Sequence, residues 1–225
     1  MDMSFLQVLP VIVIPLLLAI TLHEAGHAWV AHKLGDNTAK QLGRVSFNPI
    51  VHIDPFGTII LPLILLLSGT PFLFGYAKPV PVNYNNLRNP RRDMVYVALA
   101  GPLANILLVV IASLLLYVVG YLPPVAGDWL LQNIQFAIMI NAILAAFNML
   151  PIPPLDGGRV AVGLLPDVLA RPLSRLEPYG MLIIIGLFLL PVFGRQFGMD
   201  LNILWAVLGP VIDFVQSLAI AIAPS

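Results

Sequence analysis

The chain contains no cysteine, which excludes disulfides and every metal site built on thiolates. Charge is scarce as well. Asp, Glu, Lys and Arg make up 10% of the 225 residues, against about 25% in an ordinary soluble domain. The formal net charge is zero, and no basic patch is present to attract nucleic acid. Glutamate occurs only at Glu24 and Glu177. Ahead of the first apolar run stand Met1, Asp2, Met3 and Ser4, without the basic stretch of a cleaved signal peptide; that run reads as a retained helix. The apolar segments show no period-2 alternation, which argues against a membrane β-barrel. Internal repeats, low-complexity linkers and an inserted soluble domain are also missing.

What is abundant is hydrocarbon. Hydrophobic residues make up 59% of the chain, and the mean hydropathy is +0.94. Runs of Leu, Ile, Val and Ala are long enough to cross a bilayer core, which takes about 20 helical residues. Since backbone in lipid must satisfy its own hydrogen bonds, the reading is an all-α multi-pass membrane protein of about five to six transmembrane helices. The runs are 5–33, 55–74, 94–121, 129–150, 179–193 and 201–223. The second is broken by Pro62 and by Ser68-Gly69-Thr70-Pro71, so it is expected to be re-entrant. If it dips in and returns, Lys33, Lys40, Arg44, Lys78, Arg88, Arg91, Arg92, Arg159, Arg171 and Arg175 share one face, and only Arg195 of the eleven Lys and Arg lies opposite. By the positive-inside rule that face is cytoplasmic and the N-terminus is outside. Residues 75–83 carry the strand-like spacing Pro79-Val-Pro-Val.

Chemistry concentrates in His23-Glu24-Ala-Gly-His27. Two histidines four apart on a helix sit one turn apart on one face, about 5–6 Å from each other. There they can bind one Zn²⁺ with the glutamate as general base. A glutamate inside an apolar span costs about 2–3 kcal/mol or more and marks function. A catalytic zinc takes three protein ligands, and without cysteine the third is His, Asp or Glu. Asp156 is the candidate: the Pro-broken stretch Pro151-Ile-Pro153-Pro154 can turn it inward from the side where the first run ends. Capping a following helix is its alternative use. Asn148 is a candidate helper for a developing oxyanion, or else a cap for the turn at Pro151. Asn141 and Asn105 could serve the same site or bond between helices. Asp213 reads as an interhelical or interfacial carboxylate, Asp54-Pro55 as a helix cap with its first residue, and His52 and His32 as structural.

These motifs strongly resemble the site-2 protease family of intramembrane zinc metalloproteases. Asn148-Met-Leu-Pro151-Ile-Pro153-Pro-Leu-Asp156-Gly157 is similar to the family's N-x-x-P-x-P-x-L-D-G signature. Gly75-Tyr-Ala-Lys78-Pro-Val-Pro-Val-Asn83 and Ala100-Gly101-Pro102-Leu-Ala-Asn105 also look like family sequences. The resemblance implies His23, His27 and Asp156 as zinc ligands, Glu24 as catalytic acid/base, and single-span membrane proteins in the lipid bilayer as substrates. It implies a single membrane-protease domain over 1–225, with a catalytic core near 5–160 and C-terminal helices near 179–223, without the PDZ or CBS domains of larger members. The motif lies about 10 residues, hence 10–15 Å, from the end of its run, which places the site near the cytoplasmic face of the cell membrane. Broken helices also suit a transporter, and a client-binding scaffold could share this architecture. The absence of an inverted repeat disfavours the transporter, and an intact Glu24 disfavours the scaffold.

Overall fold

The computed structural model describes residues 5–67, 77–199 and 201–224. The first run forms α1 (Phe5–Leu34), which stops at Gly35, whose φ of 119° few other residues adopt. A short α2 (Thr38–Gln41) and a turn at Pro49–His52 follow. Asp54 then caps the next turn, Pro55–Ile60, accepting from the Phe56 and Gly57 amides. That turn continues into α3 (Leu61–Leu67). This is the described part of the expected re-entrant segment; its remainder, 68–74, lies outside the described residues.

No strand forms among the described residues. Residues 77–83 run as irregular chain, and 75 and 76 lie outside the description. The strand-like spacing is present, but no second edge among the described residues pairs with it. A helix anticipated from Met94 starts earlier, as α4 (Pro90–Val119). Pro90 suits a first helical position, and Asp93 takes the Asn89 amide. Similarly, α5 (Pro124–Asn148) begins at a proline ahead of the apolar run. The Pro-rich break leads into α6 (Asp156–Leu164) and α7 (Asp167–Ser174), neither expected from apolarity. Then come α8 (Gly180–Gln196) and α9 (Ile203–Ile222). Among the described residues, five helices or helix pairs are long and apolar enough to cross a membrane: Pro10–Leu34, Pro90–Val119, Pro124–Asn148, Asp167–Gln196 and Ile203–Ile222.

The centre of the fold is α1 against α4 and α5. Small residues let these backbones approach closely: Ala19, Ala28, Ala31, Ala98 and Ala142 are all buried. At Gly26 a Cβ would lie 2.9 Å from the Ala100 carbonyl, so glycine sets the α1–α4 spacing. Helix α9 covers α5 and α4 with Leu204, Leu208, Ile212, Val215 and Ala219. Ala219, Ile220 and the following Ala223 line a cavity with Leu116 near the end of α4 and with Leu131 and Gln135 in the first half of α5. Helix α9 therefore runs antiparallel to α5. The charge-based topology has the two running the same way. The difference arises at α8. Gly180 abuts Pro153, Phe188 stacks near Phe147 with ring centres 5.9 Å apart, and Gly194 lies against Leu201, just before α9. Both ends of α8 thus lie toward the end of the bundle where α5 finishes.

Candidate metal centre and catalytic site

His23 and His27 lie on the buried face of α1, 8% and 9% exposed. Each ring is fixed through Nδ1. His23 Nδ1 donates to Asn105 Oδ1 at 2.6 Å, and His27 Nδ1 donates to the Val97 carbonyl at 2.7 Å. The acceptors have no proton to give, so the hydrogens sit on the two Nδ1 atoms and each Nε2 presents a lone pair. Asn105 is itself held by α1 and α5: its Nδ2 donates to the Ala19 carbonyl and to Asn141 Oδ1. Asn141 in turn donates to the Ala137 carbonyl.

The third group arrives from α6. Asp156 stands in its first turn, and the preceding turn doubles back tightly on itself. A Cβ on Gly157 would lie 2.2 Å from the Met149 carbonyl, and one on Gly158 would lie 2.3 Å from the Pro153 nitrogen. Two glycines are therefore required for Asp156 to come inward. Its Oδ2 lies 3.2 Å from His23 Nε2 and 3.3 Å from His27 Nε2, and the two Nε2 atoms are 3.1 Å apart.

This triangle has a physical signature. Ligand atoms about 2.0–2.1 Å from a tetrahedral zinc stand about 3.3 Å from one another. Three lone-pair atoms at that spacing repel unless a cation lies between them, and Asp156 Oδ2 is buried with no hydrogen-bond donor. The donor set of two imidazoles and one carboxylate suits Zn²⁺. Among the described residues this is the metal-competent group. Gly101 of α4 completes the cradle: a Cβ there would fall 2.3 Å from His27 Nε2 and 2.6 Å from His23 Nε2.

Glu24, half-buried beside His23, is outside the triangle. Its Oε2 accepts the Val80 amide at 2.7 Å. The segment carrying Val80 is fastened along its length. The Lys78 amide donates to the His52 carbonyl at 3.0 Å, and the buried Arg44 donates from Nη2 to the Lys78 carbonyl at 2.5 Å. Asp36, fully buried, accepts the Asn83 amide at 2.8 Å and the Asn86 side chain at 3.0 Å. Thr38 adds its amide and hydroxyl. Burial alone would raise the Asp36 pKa, but these donors outweigh it and hold the carboxyl below its ordinary value.

The remaining candidates lie elsewhere. Asn148 donates to the Leu144 carbonyl of its own helix. His52 is buried, with Nε2 bonded to the Ser46 carbonyl, and His32 bonds to Asn37 at the surface. Asp213 is exposed on α9, remote from the triangle. Sequence reasoning passed over Val97, Val80, Arg44 and Asp36 as parts of the site. Backbone donors and acceptors carry no side-chain signal, and Arg44 and Asp36 look like ordinary loop charges.

Comparison with known proteins gives the chain's family. The family model of peptidase family M50 matches residues 11–134 and 124–192. The chain is 37% identical over 221 residues to a Bacillus subtilis protein named as a zinc metalloprotease, YwhC, covering 96% of this chain and 94% of that one. It is 30% identical over 196 residues to a Mycolicibacterium smegmatis protein named as a zinc metalloprotease, Rip2, covering 87% and 73%. A regulator of sigma E protease from Haemophilus influenzae matches at 28% identity over 52% of this chain and 28% of its own. No solved structure matches.

Proposed function

Since the chain belongs to peptidase family M50 and is a zinc-dependent intramembrane protease, we propose that His23, His27 and Asp156 hold the metal and that Glu24 is its general base. The observation that carries this reading is the convergence of three lone-pair atoms beside a carboxylate that is not one of them. Zn²⁺ held there supplies Lewis acidity that activates water and polarises a peptide carbonyl. Glu24 takes a proton as water attacks, then delivers it to the amide nitrogen as the C–N bond breaks. The Val80 amide pins one carboxylate oxygen and leaves the other to face the reacting water. Asn105 and the Val97 carbonyl aim the two imidazoles, the outer-shell role that ligating histidines require. Asn141 supports Asn105, and Asn148 closes the end of α5.

The substrates on this reading are single-span membrane proteins, cut in or beside the spanning helix after local unwinding. An extended substrate could lie along 77–83. The Lys78 and Val80 amides are already engaged there, and Pro79 and Pro81 have no N–H. The segment can therefore offer a substrate mainly carbonyl acceptors. The site lies nearer the cytoplasmic face of the cell membrane, because the basic residues gather in the loops around it.

The test is reconstitution with a panel of single-span substrates, comparing the parent with Glu24→Gln. Cleavage should fall by about 10²–10⁴ while bound zinc stays at the parental level. Undiminished cleavage would overturn the general-base assignment. Full zinc content in His27→Ala or Asp156→Ala would overturn the ligand set.

A further inference from the structure

Asp213 is the eleventh residue of the 20-residue α9, so it lies midway along a helix of membrane-crossing length. The helix packs inward through Leu204, Leu208, Ile212, Val215 and Ala219. Asp213 points away from that face and is exposed, as are Phe214 and Leu218. It forms no hydrogen bond or ion pair with a described residue. A carboxylate at that depth, facing hydrocarbon, is costly and calls for a partner. Its side chain is too short to reach the membrane surface.

The chain cannot supply that partner from a second copy as a cation. All eleven Lys and Arg occupy loops, the short α2, α6 and α7, or terminal turns of the long helices. The surroundings of Asp213 suit close approach by another helix. Gly209, Asp213 and Ser217 follow at four-residue intervals, hence on one face. A Cβ at Gly209 would meet no described atom within 4 Å, so no contact with a described residue requires glycine there. Small residues at such spacing let a second transmembrane backbone come near.

We propose that the outer face of α9 around Gly209, Asp213 and Ser217 docks a transmembrane helix carrying a basic side chain near its midpoint. The carboxylate pairs with that cation, and the glycine and serine admit the partner's backbone. This surface is separate from the zinc triangle and does not rest on the catalytic assignment.

The test uses full-length protein in phosphatidylcholine vesicles with synthetic Leu-rich single-span peptides. One peptide has a central lysine and its control has leucine there; association is read by energy transfer. The lysine peptide should bind the parent about tenfold more tightly than the control. That preference should vanish in Asp213→Leu. In Gly209→Ile, which keeps the carboxylate, binding of the lysine peptide should weaken. Helical content and zinc binding at parental levels verify that the variants are folded. Equal binding of both peptides by the parent, or an undiminished preference in Asp213→Leu, overturns the proposal. Self-association of the parent that Asp213→Leu abolishes, with no preference for the lysine peptide, also overturns it by making a second copy the occupant.

Discussion

One methyl group at residue 101 is enough to close the metal cradle. Gly101→Ala would place a Cβ 2.3 Å from His27 Nε2, well inside contact distance. The expected result is loss of zinc and of cleavage, with the fold retained at a cost of about 1–3 kcal/mol for overpacking; metal analysis beside thermal unfolding checks both. Asn105→Ala acts more gently. It frees His23 Nδ1 from its acceptor, and zinc affinity should fall about 10–100-fold, measured by competition with a chelator. The three proposed ligands stand out in the sequence for different reasons. His23 and His27 belong to one helical turn, so spacing alone sets their shared face. Asp156 was inferable from a broken helix and an absence of cysteine. Gly101 stood out only as part of a family-like motif, because its opposition to both imidazoles depends on where α4 crosses α1.

Among the elements, the irregular segment 77–83 links loop chemistry to Glu24, the proposed general base. Val80→Pro removes the amide that reaches Glu24. A hydrogen bond to a charged group contributes about 1.5–3 kcal/mol, so kcat should drop about ten- to a hundredfold with bound zinc unchanged. A kinetic assay with metal analysis decides the matter, and an unchanged kcat would remove Val80 from the mechanism. Asp36 anchors the far end of the same segment. Its carboxyl is held below the ordinary value, so its stabilising contribution is complete above the unfolded pKa of about 4 and is lost as pH falls through the lowered folded value. Asp36→Asn should therefore destabilise by about 1–3 kcal/mol at neutral pH. Its gap from the parent should narrow as pH drops below about 4, as thermal unfolding in detergent would show. The sequence showed this segment's extended spacing and the Asp54-Pro55 cap, both local properties. It could not show that Glu24, His52, Arg44 and Asp36 would take up the segment's backbone groups in place of a partner strand.

At the scale of the whole molecule the direction of α9 is the main revision. Counting basic residues left Arg195 opposite the other ten Lys and Arg. In the fold Arg195 stands in the last turn of α8, next to Gly194, which lies against Leu201 just before α9, and α9 leads from there toward the beginning of α5. The expected outcome is that Arg195 shares a membrane side with the other basic residues. Because the chain has no cysteine, single-cysteine variants can be labelled without background. Lys40→Cys and Arg195→Cys should react with an impermeant maleimide from the same side of sealed vesicles, and Pro224→Cys from the other. Arg195→Cys labelling from the side opposite Lys40→Cys would restore the charge-based topology.

Composition and short-range pattern by themselves determined that this is a helical membrane protein with a His-Glu-x-x-His zinc motif, because both follow from hydropathy and from the 3.6-residue turn. Only the tertiary structure decided that Asn105, Val97, Gly101 and Val80 surround that motif, that α9 runs against α5, and that Asp213 faces outward. Those relations join residues dozens of positions apart, and they depend on how helices cross and where glycine permits contact, which no local spacing encodes.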